Sequence, residues 1–344
     1  MAKGKVKHGE ARAEARRRNR LAAKQRVVAE AAVDAPRDLV AVAHQGVDLE
    51  IGDGEFCVFV GPSGCGKSTV GRTLLKLLEP TGGTIKVSGN DITHLSPDAM
   101  LPYRRRLQMI YQDPYASLNP RMTAGDIVGE PLVVHGIGTP RENRDRVASL
   151  FERCGLRPEA VGRYPHEFSG GQRQRVGIAR ALSLGPELIV GDEPVSALDV
   201  SIQAQIINLL MDLQDEYRLS YLFVAHDLAV VEHISHRVAV MYLGRIVEMT
   251  DRKSLFEMPL HPYTEALLSA VPIPKSSARK RKRVILTGDV PSPINPPAGC
   301  HFHTRCPYAM PRCRAEAPVL REIVPGHVAS CHLHDGGVKS PLGN

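Results

Sequence analysis

Short apolar segments recur along most of the chain, and each is bounded by residues that favour turns. Such runs, rich in valine, isoleucine and aromatic residues, are typical of β-strands. The pattern predicts strands at residues 39–42, 47–51, 55–60, 84–87, 107–111, 188–191, 221–225, 238–242 and 245–249. The last two flank Leu243-Gly244, a pair that predicts a hairpin turn.

Helical patterns fill several of the intervals between these strands. The stretch from Lys67 to Leu78 is rich in helix formers, and residues 113–185 are mostly helical in pattern. A further stripe at helical spacing follows at Ile202, Ile206, Leu209, Leu210 and Leu213. Strands that alternate with helices predict an α/β fold. From Pro259 the composition shifts to proline, cysteine and histidine, which predicts a small additional module over residues 259–344.

One loop between a predicted strand and a predicted helix carries a phosphate-binding pattern, G-x-x-x-x-G-K-[ST]. Its glycines allow a tight curve in which backbone N–H groups point at phosphate oxygens. Lys67 would add a positive charge for the β- and γ-phosphates, and Ser68 a hydroxyl for Mg²⁺. We therefore predict a nucleotide site at the loop Gly61-Pro62-Ser63-Gly64-Cys65-Gly66-Lys67-Ser68-Thr69.

A nucleotide site with a phosphate loop also needs carboxylates for Mg²⁺ and for water, and a second apolar strand is followed by two of them. Residues 188–191 are mostly apolar and lead directly to Asp192 and Glu193. In this position Asp192 would hold Mg²⁺ and Glu193 would polarise the attacking water.

Further motifs lie in an order that resembles the ABC-transporter ATPases. The stretch Phe168-Ser169-Gly170-Gly171-Gln172 resembles their signature, Gln112 their Q-loop, Ser196-Ala197-Leu198-Asp199 their D-loop and His226 their switch histidine. The resemblance covers about residues 38–262.

This resemblance implies a P-loop NTPase of ABC type over residues 36–258. Its fold would combine a RecA-like core, an antiparallel β subdomain and a helical subdomain at about 113–185. ATP and Mg²⁺ would be its cofactors, with the metal held by Ser68, Gln112 and Asp192. Lys67, Gln112, Glu193 and His226 would be catalytic.

In this family two ATPase domains face head to tail, so that each nucleotide lies between one phosphate loop and the other domain's signature. The resemblance therefore implies that Ser169, Gly170, Gly171 and Gln172 serve a partner's site. Asp199 would act at the seam between the two domains.

Several stretches resemble a narrower group, the ATP-binding subunits of oligopeptide/dipeptide importers. They are residues 111–122, 163–168 and 192–201, together with 261–264, 288–293 and 300–307 of the C-terminal extension. The resemblance implies a peripheral protein at the cytoplasmic face of the cell membrane. Its partners would be a second ATPase subunit, for which we favour a distinct paralogue, two permease subunits and an extracytoplasmic peptide-binding protein.

Other functions stay open at this point. Nickel, glutathione and other small-solute importers share the architecture, so the solute is not fixed. A soluble ABC ATPase acting on ribosomes or DNA is the alternative of another class. Such proteins commonly carry two nucleotide domains or a long coiled-coil insertion, and this chain has one core and neither feature.

The charge of the chain is unevenly distributed. The net charge is +7, but residues 1–35 alone hold ten Lys or Arg and four Asp or Glu, and residues 275–283 hold six Lys or Arg and no acid. We interpret both segments as solvated arms, with anionic lipid or a protein partner as the alternative. They lack aromatic residues for base stacking, which argues against a nucleic-acid partner.

Four cysteines are concentrated near the end of the chain, at Cys300, Cys306, Cys313 and Cys331. In a reducing cytosol such thiols suggest a bound metal that stabilises a small module. Some relatives carry a [4Fe–4S] cluster here, and we favour that interpretation. Zinc, held by these cysteines or by His301, His303 or His332, and free buried thiols are the alternatives.

One feature departs from the family pattern. An aromatic residue of the first strand usually stacks on adenine, but this chain has no aromatic residue before Phe56. The residue that contacts adenine is therefore not predicted.

Overall fold

An eight-stranded sheet forms the centre of the protein, in the order β11-β12-β10-β9-β3-β8-β7-β6. The computed structural model describes residues 38–44, 47–270 and 284–337, so both basic segments lie outside the described residues. Strands β6, β7, β8, β3 and β9 are parallel, and β10, β12 and β11 continue the sheet in antiparallel pairs. The strands are β3 (Phe56–Val60), β6 (Leu107–Ile110), β7 (Leu188–Asp192), β8 (Ser220–Ala225), β9 (Arg237–Tyr242), β10 (Arg245–Asp251), β11 (Arg321–Val324) and β12 (His327–Ala329).

A smaller antiparallel sheet has the order β2-β1-β4-β5. Buried and exposed residues alternate along β2 and β4, as expected of a sheet with one face on the core and one in solvent. Its strands are β1 (Asp38–His44), β2 (Val47–Gly52), β4 (Thr84–Val87) and β5 (Asn90–Asp91).

Three helices between β6 and β7 form the predicted helical subdomain, and the others surround the sheets. Four of the helices begin with proline, which fits the first helical turn because it needs no N–H there. The helices are α1 (Lys67–Leu74), α2 (Pro97–Arg106), α3 (Ala124–Val134), α4 (Pro140–Arg153), α5 (Gly170–Leu182), α6 (Val200–Tyr217), α7 (Leu228–Ile234), α8 (Arg252–Glu257), α9 (Pro262–Ser269) and α10 (Pro311–Ala315).

The central strands are apolar on both faces because both faces are covered. Every residue of β3, β7 and β8 is buried. Phe56 and Val58 pack into the core that includes the helical subdomain, whereas Cys57 and Phe59 pack into the core shared with the small sheet. This alternation follows from the two-residue repeat of a strand.

Helix α1 is shorter than the sequence pattern predicts. It ends at Leu74, whereas the pattern extends it to Leu78. Lys76 adopts a left-handed φ of 54°, and its buried amine donates to the carbonyl oxygen of Thr93 at 2.6 Å. The chain turns to make that contact, so Leu77 and Leu78 are exposed and do not continue the buried face of the helix.

The predicted hairpin joins β9 to β10. Arg245 pairs with Tyr242, so Leu243 and Gly244 form the two-residue turn, with φ of 44° and 80°. Two consecutive positive φ angles are typical of a type I′ turn. Leucine in this conformation costs about 1–2 kcal/mol, so the turn depends on the contacts of its surroundings.

The C-terminal residues extend the main sheet through β12, which pairs with β10 at Glu248. The Glu248 side chain is fully buried and accepts hydrogen bonds from the N–H groups of Leu260 and His261, at 2.7 and 2.8 Å. His327 Nε2 lies 2.7 Å from the same carboxylate. A carboxylate with three partners is satisfied without water, and it joins β10, the start of α9 and β12.

Within the described ranges, every helix is too short or too polar to cross a membrane.

The buried His261 makes the stability of this region dependent on pH. Burial lowers the pKa of His261 to about 4, with opposing influence from Glu248 and a further lowering by His334. The unfolded chain binds a proton near its ordinary value of 6.5, so the stabilisation is complete above that pH and is lost as pH falls toward 4. We expect the free energy of unfolding to fall by about 2 kcal/mol from this group between about pH 7 and pH 5.

His261→Asn is the matched variant, because its side chain can still accept from the N–H of Tyr263 at the start of α9. Urea denaturation at several pH values should give a smaller dependence on pH for this variant. An unchanged dependence would contradict the assignment.

Candidate nucleotide site

Four neighbouring parallel strands end at the same edge of the sheet, in the order β3, β8, β7, β6. The phosphate loop follows β3 and His226 follows β8. Asp192 is the last residue of β7, Glu193 comes directly after it, and Gln112 lies just after β6. Because the carboxyl ends of parallel strands lie together, residues far apart in sequence meet here.

The phosphate loop curves tightly against the main chain of β9. Gly61, Gly64 and Gly66 have φ of 157°, 75° and 106°. A Cβ on Gly61 would lie 2.3 Å from the carbonyl oxygen of Met241, which no real side chain can tolerate. The first glycine of the motif is therefore required by contact with β9 as well as by backbone conformation.

Lys67 and Ser68 begin α1 and face the interior of the loop. The buried Lys67 donates from Nζ to the carbonyl oxygens of Gly61 and Pro62, at 2.9 and 3.0 Å. Ser68 Oγ donates to Asp192 Oδ1 at 2.5 Å. The lysine charge and the hydroxyl–carboxylate pair are thus both held at the base of the loop.

Glu193 is the point at which three segments converge. Gln112 Nε2 donates to Glu193 Oε2 at 3.0 Å, and His226 Nδ1 lies 3.3 Å from the same oxygen. Glu193 has a left-handed φ of 47°, a conformation that is sparsely populated outside glycine and often occurs at functional sites. The structure therefore brings together the three residues that the resemblance implied to be catalytic partners.

The signature residues are at the start of α5. Ser169 caps the helix, with its Oγ accepting from the N–H of Gln172 while Gln172 Oε1 accepts from the N–H of Ser169. A Cβ on Gly171 would lie 2.4 Å from Ile202 Cγ2, so glycine is required for close packing on α6. Ser169 and Gly170 are exposed.

Asp199 precedes α6 and is also exposed. Ser169 and Gln172 hydrogen-bond to each other, and Gly170 and Gly171 lie next to Leu198 and Ile202. The signature residues and Asp199 are thus held together by the start of α5 and the segment that leads into α6.

Sequence reasoning missed several residues that hold this site together. Arg72 Nη2 lies 3.4 Å from Asp192 Oδ2. On the signature helix, Arg180 donates to the carbonyl oxygen of Ser117 at 2.6 Å, and its guanidinium lies 5.8 Å from the centre of the Tyr111 ring. An arginine within a helical pattern gives no sign of these contacts, because they are made with segments distant in sequence.

The metal site predicted at the tail cysteines is not supported. In residues 38–44, 47–270 and 284–337, no group of three or more His, Cys, Asp or Glu side chains is placed to hold a metal ion.

The histidines considered for zinc have other partners. His301 Nδ1 lies 3.3 Å from the carbonyl oxygen of Leu243, and His303 Nδ1 lies 2.9 Å from that of Cys300. His332 contacts Asp335 and the carbonyl oxygen of Glu316 through its two ring nitrogens. Because no group of three or more such side chains among the described residues is placed to hold a metal ion, the zinc alternative is not supported either.

The residues at the phosphate loop do fit ATP and Mg²⁺. The loop has a buried lysine, positive-φ glycines and the N-terminus of α1, which together suit phosphate. The hydroxyl of Ser68, the carboxylate of Asp192 and the amide of Gln112 are oxygen donors of the kind that Mg²⁺ prefers.

Comparisons with known proteins agree with this geometry. The family model described as "ABC transporter" matches residues 44–196, and that described as "Oligopeptide/dipeptide transporter, C-terminal region" matches residues 247–313. The oligopeptide transport ATP-binding protein AppF of Bacillus subtilis is 55% identical over 85% of this chain and 89% of its own length. A probable peptide ABC transporter ATP-binding protein of Sinorhizobium fredii is 55% identical over 85% of this chain and 82% of its own.

The chain belongs to the family of ABC transporter ATP-binding proteins.

A solved structure supports the fold of this ABC ATPase. An ATP-binding cassette, described as a dimer in a post-hydrolysis state bound to ADP and Pi, is 29% identical with a TM-score of 0.55. The match covers 63% of this chain and 97% of that chain. The predicted P-loop NTPase fold of ABC type is confirmed, and the protein is an enzyme that hydrolyses ATP.

The contact between the phosphate loop of this ABC ATPase and β9 predicts the effect of Gly61→Ala. The added Cβ would meet the carbonyl oxygen of Met241, so the loop must shift away from β9. We expect binding of a fluorescent ATP analogue to weaken by at least about tenfold, which corresponds to about 1.4 kcal/mol.

Gly82→Ala is the control, because nothing lies within 4 Å of a Cβ at that position. If wild type, Gly61→Ala and Gly82→Ala bind the ATP analogue with equal affinity, the contact with β9 does not determine the conformation of the phosphate loop.

Proposed function

We propose that this chain is the ATP-hydrolysing subunit of an importer that carries peptides across the cytoplasmic membrane. The observation that carries the proposal is the combination of an ABC ATP site with a C-terminal region of the oligopeptide/dipeptide transporter type in one chain. The relatives named for peptide transport are similar over more than four fifths of the chain, and so include much of the extension.

Phosphate binding is the first step of the mechanism that we propose. On arrival of ATP, Lys67 Nζ would exchange its two loop carbonyls for oxygens of the β- and γ-phosphates, with the charge already inside the loop. Ser68 and Asp192, already in contact, would hold Mg²⁺ together with Gln112. Mg²⁺ supplies charge neutralisation at the β- and γ-phosphate oxygens.

Hydrolysis is the second step, and Glu193 has the central role. Water attacks the γ-phosphorus, the bond from that phosphorus to the β–γ bridging oxygen breaks, and Glu193 accepts the water proton. Gln112 and His226 both contact Glu193 Oε2, so they fix the orientation of the carboxylate that receives this proton. Gln112 would also contact the metal ion, and His226 would contact the γ-phosphate.

A second ATPase subunit would complete the site. The exposed Ser169 and Gly170 at the start of α5 would bind the γ-phosphate of nucleotide held by that subunit, and the exposed Asp199 would lie at the seam. In this head-to-tail arrangement, the partner's signature would likewise cover the phosphate loop of this chain.

A groove beside the Q-loop is the surface that we assign to a permease subunit. It has a volume of about 760 Å³, and its walls include the exposed Leu77 and Val134 as well as Gln112 and Arg72. A groove lined by both apolar and charged residues suits an amphipathic segment of a partner. Docking there would fix the chain as a peripheral subunit on the cytoplasmic face of the membrane.

Contacts between the Q-loop segment and helix α5 would connect the groove with the phosphate-loop site of this chain and with its signature residues. Arg173 lies 5.1 Å from the centre of the Tyr115 ring, and Arg180 contacts Ser117 and Tyr111. A permease segment that moves the Q-loop would therefore move Gln112 and the start of α5 together.

The role of Glu193 predicts the effect of Glu193→Gln. An amide cannot accept the proton, so the turnover number should fall by at least about 100-fold. Affinity for ATP, measured with a fluorescent analogue, should remain within about twofold because Lys67 and Ser68 are intact.

Glu232→Gln, on the exposed surface of α7, is the matched control and should retain wild-type turnover. A Glu193→Gln protein with wild-type turnover would contradict the mechanism.

The function is tested by purifying the chain from native membranes with its partners. We expect two permease subunits and a second ATPase subunit to copurify. Cells with wild-type protein should accumulate labelled di- and oligopeptides, and cells with Glu193→Gln should not. Salt-sensitive recovery with ribosomes would refute the transport role, and uptake of nickel or glutathione alone would refute the peptide substrate.

A further inference from the structure

The turn between β9 and β10 contacts the phosphate loop from behind. The N–H of Gly244 donates to the carbonyl oxygen of Cys65 at 2.9 Å. A Cβ on Gly66 would lie only 3.9 Å from the Cα of Gly244. The two main chains are therefore in direct contact at the residues that precede Lys67.

The C-terminal extension contacts the same turn through His301. Its ring nitrogen Nδ1 lies 3.3 Å from the carbonyl oxygen of Leu243. A carbonyl oxygen can only accept, so Nδ1 carries the proton in this contact. Burial lowers the pKa of His301, which is consistent with a neutral ring that donates from Nδ1.

Packing fixes the position of His301. The next residue, Phe302, is 1% exposed, and its ring centre lies 5.2 Å from that of Tyr242 and 5.5 Å from that of Tyr263. The preceding residue, Cys300, donates from its N–H to the carbonyl oxygen of Cys313 at 2.8 Å. His301 therefore reaches the turn from a segment that is anchored on both sides.

We propose that His301 is a positioning residue for ATP, which acts through Leu243 and Gly244 on the Cys65–Gly66 peptide group of the phosphate loop. Leu243 has a left-handed φ of 44°, a conformation that leucine does not favour and that an external hydrogen bond would help to retain. With the turn held, the N–H of Gly244 fixes the direction of the Cys65 carbonyl.

The planarity of the peptide bond transmits this effect to the phosphate side of the loop. In a trans peptide the C=O of one residue and the N–H of the next point in opposite directions. The Cys65 carbonyl points at the turn, so the N–H of Gly66 points to the other side of the loop. Backbone N–H groups of this loop are the donors for phosphate, and their direction determines how well they bind it.

The test measures the dissociation constant of a fluorescent ATP analogue on the isolated full-length chain, and KM and kcat for ATP on the purified complex with its partner ATPase subunit. His301→Ala should weaken ATP binding and raise KM by about three- to tenfold, the effect of one neutral hydrogen bond, and leave kcat nearly unchanged. His301→Asn should restore affinity to within about twofold, because its amide nitrogen takes the place of Nδ1.

Two further variants serve as matched controls. His303 contacts the Cys300 carbonyl within its own segment, so His303→Ala should bind ATP like the wild type. His301→Gln has the same chemistry as His301→Asn but places its amide near the position of Nε2, so its affinity should remain low.

Several outcomes would overturn the proposal. They are unchanged ATP affinity in His301→Ala, equal affinities of His301→Asn and His301→Gln, or an equal loss in His303→Ala. If His301→Ala does not fold, the Asn and Gln pair still decides the question. Because only nucleotide binding and hydrolysis are measured, failure of the peptide-import proposal would not affect the result.

Discussion

The parallel register of four adjacent strands is the constraint on which the site depends. Val60 pairs with Ala225, Asp192 pairs with Val224, and β6 pairs with β7 beside them. These strands therefore end together, and the phosphate loop, His226 and Gln112 follow at one edge. A shift of one residue in any strand would exchange the side chains that pack against its two faces, so the close packing of both faces holds the register.

The C-terminal extension continues this architecture beyond the ATPase core. Glu248 joins β10 to the start of α9 and to β12, so the added strands share the main sheet. The aromatic contacts of Phe302 place the cysteine-containing segment next to the turn at Leu243. The region that distinguishes this branch of the family thus lies against the turn that contacts the phosphate loop.

Contiguous motifs made much of the fold and of the site predictable. The strands, the hairpin, the loop at Lys67 and the carboxylate of Glu193 follow from residue types that are close in sequence, and the resemblance to ABC ATPases supplied Gln112 and His226. The end of α1 at Leu74 was not predictable, because it depends on the contact of Lys76 with Thr93. The contact between Gly61 and β9 was not predictable either. A side chain at Gly61 would clash with the main-chain oxygen of Met241, and because every residue has such an oxygen, the sequence gives no sign of the contact.

We propose that this chain carries half of an ATP site, which a second polypeptide would complete. The direct measurement uses the native complex, an ATP analogue with a photoreactive group on the γ-phosphate, and a partner ATPase subunit whose own phosphate-loop lysine has been replaced. The account predicts covalent label on the partner, since nucleotide held at Lys67 would face the partner's signature. Label confined to this chain would contradict it.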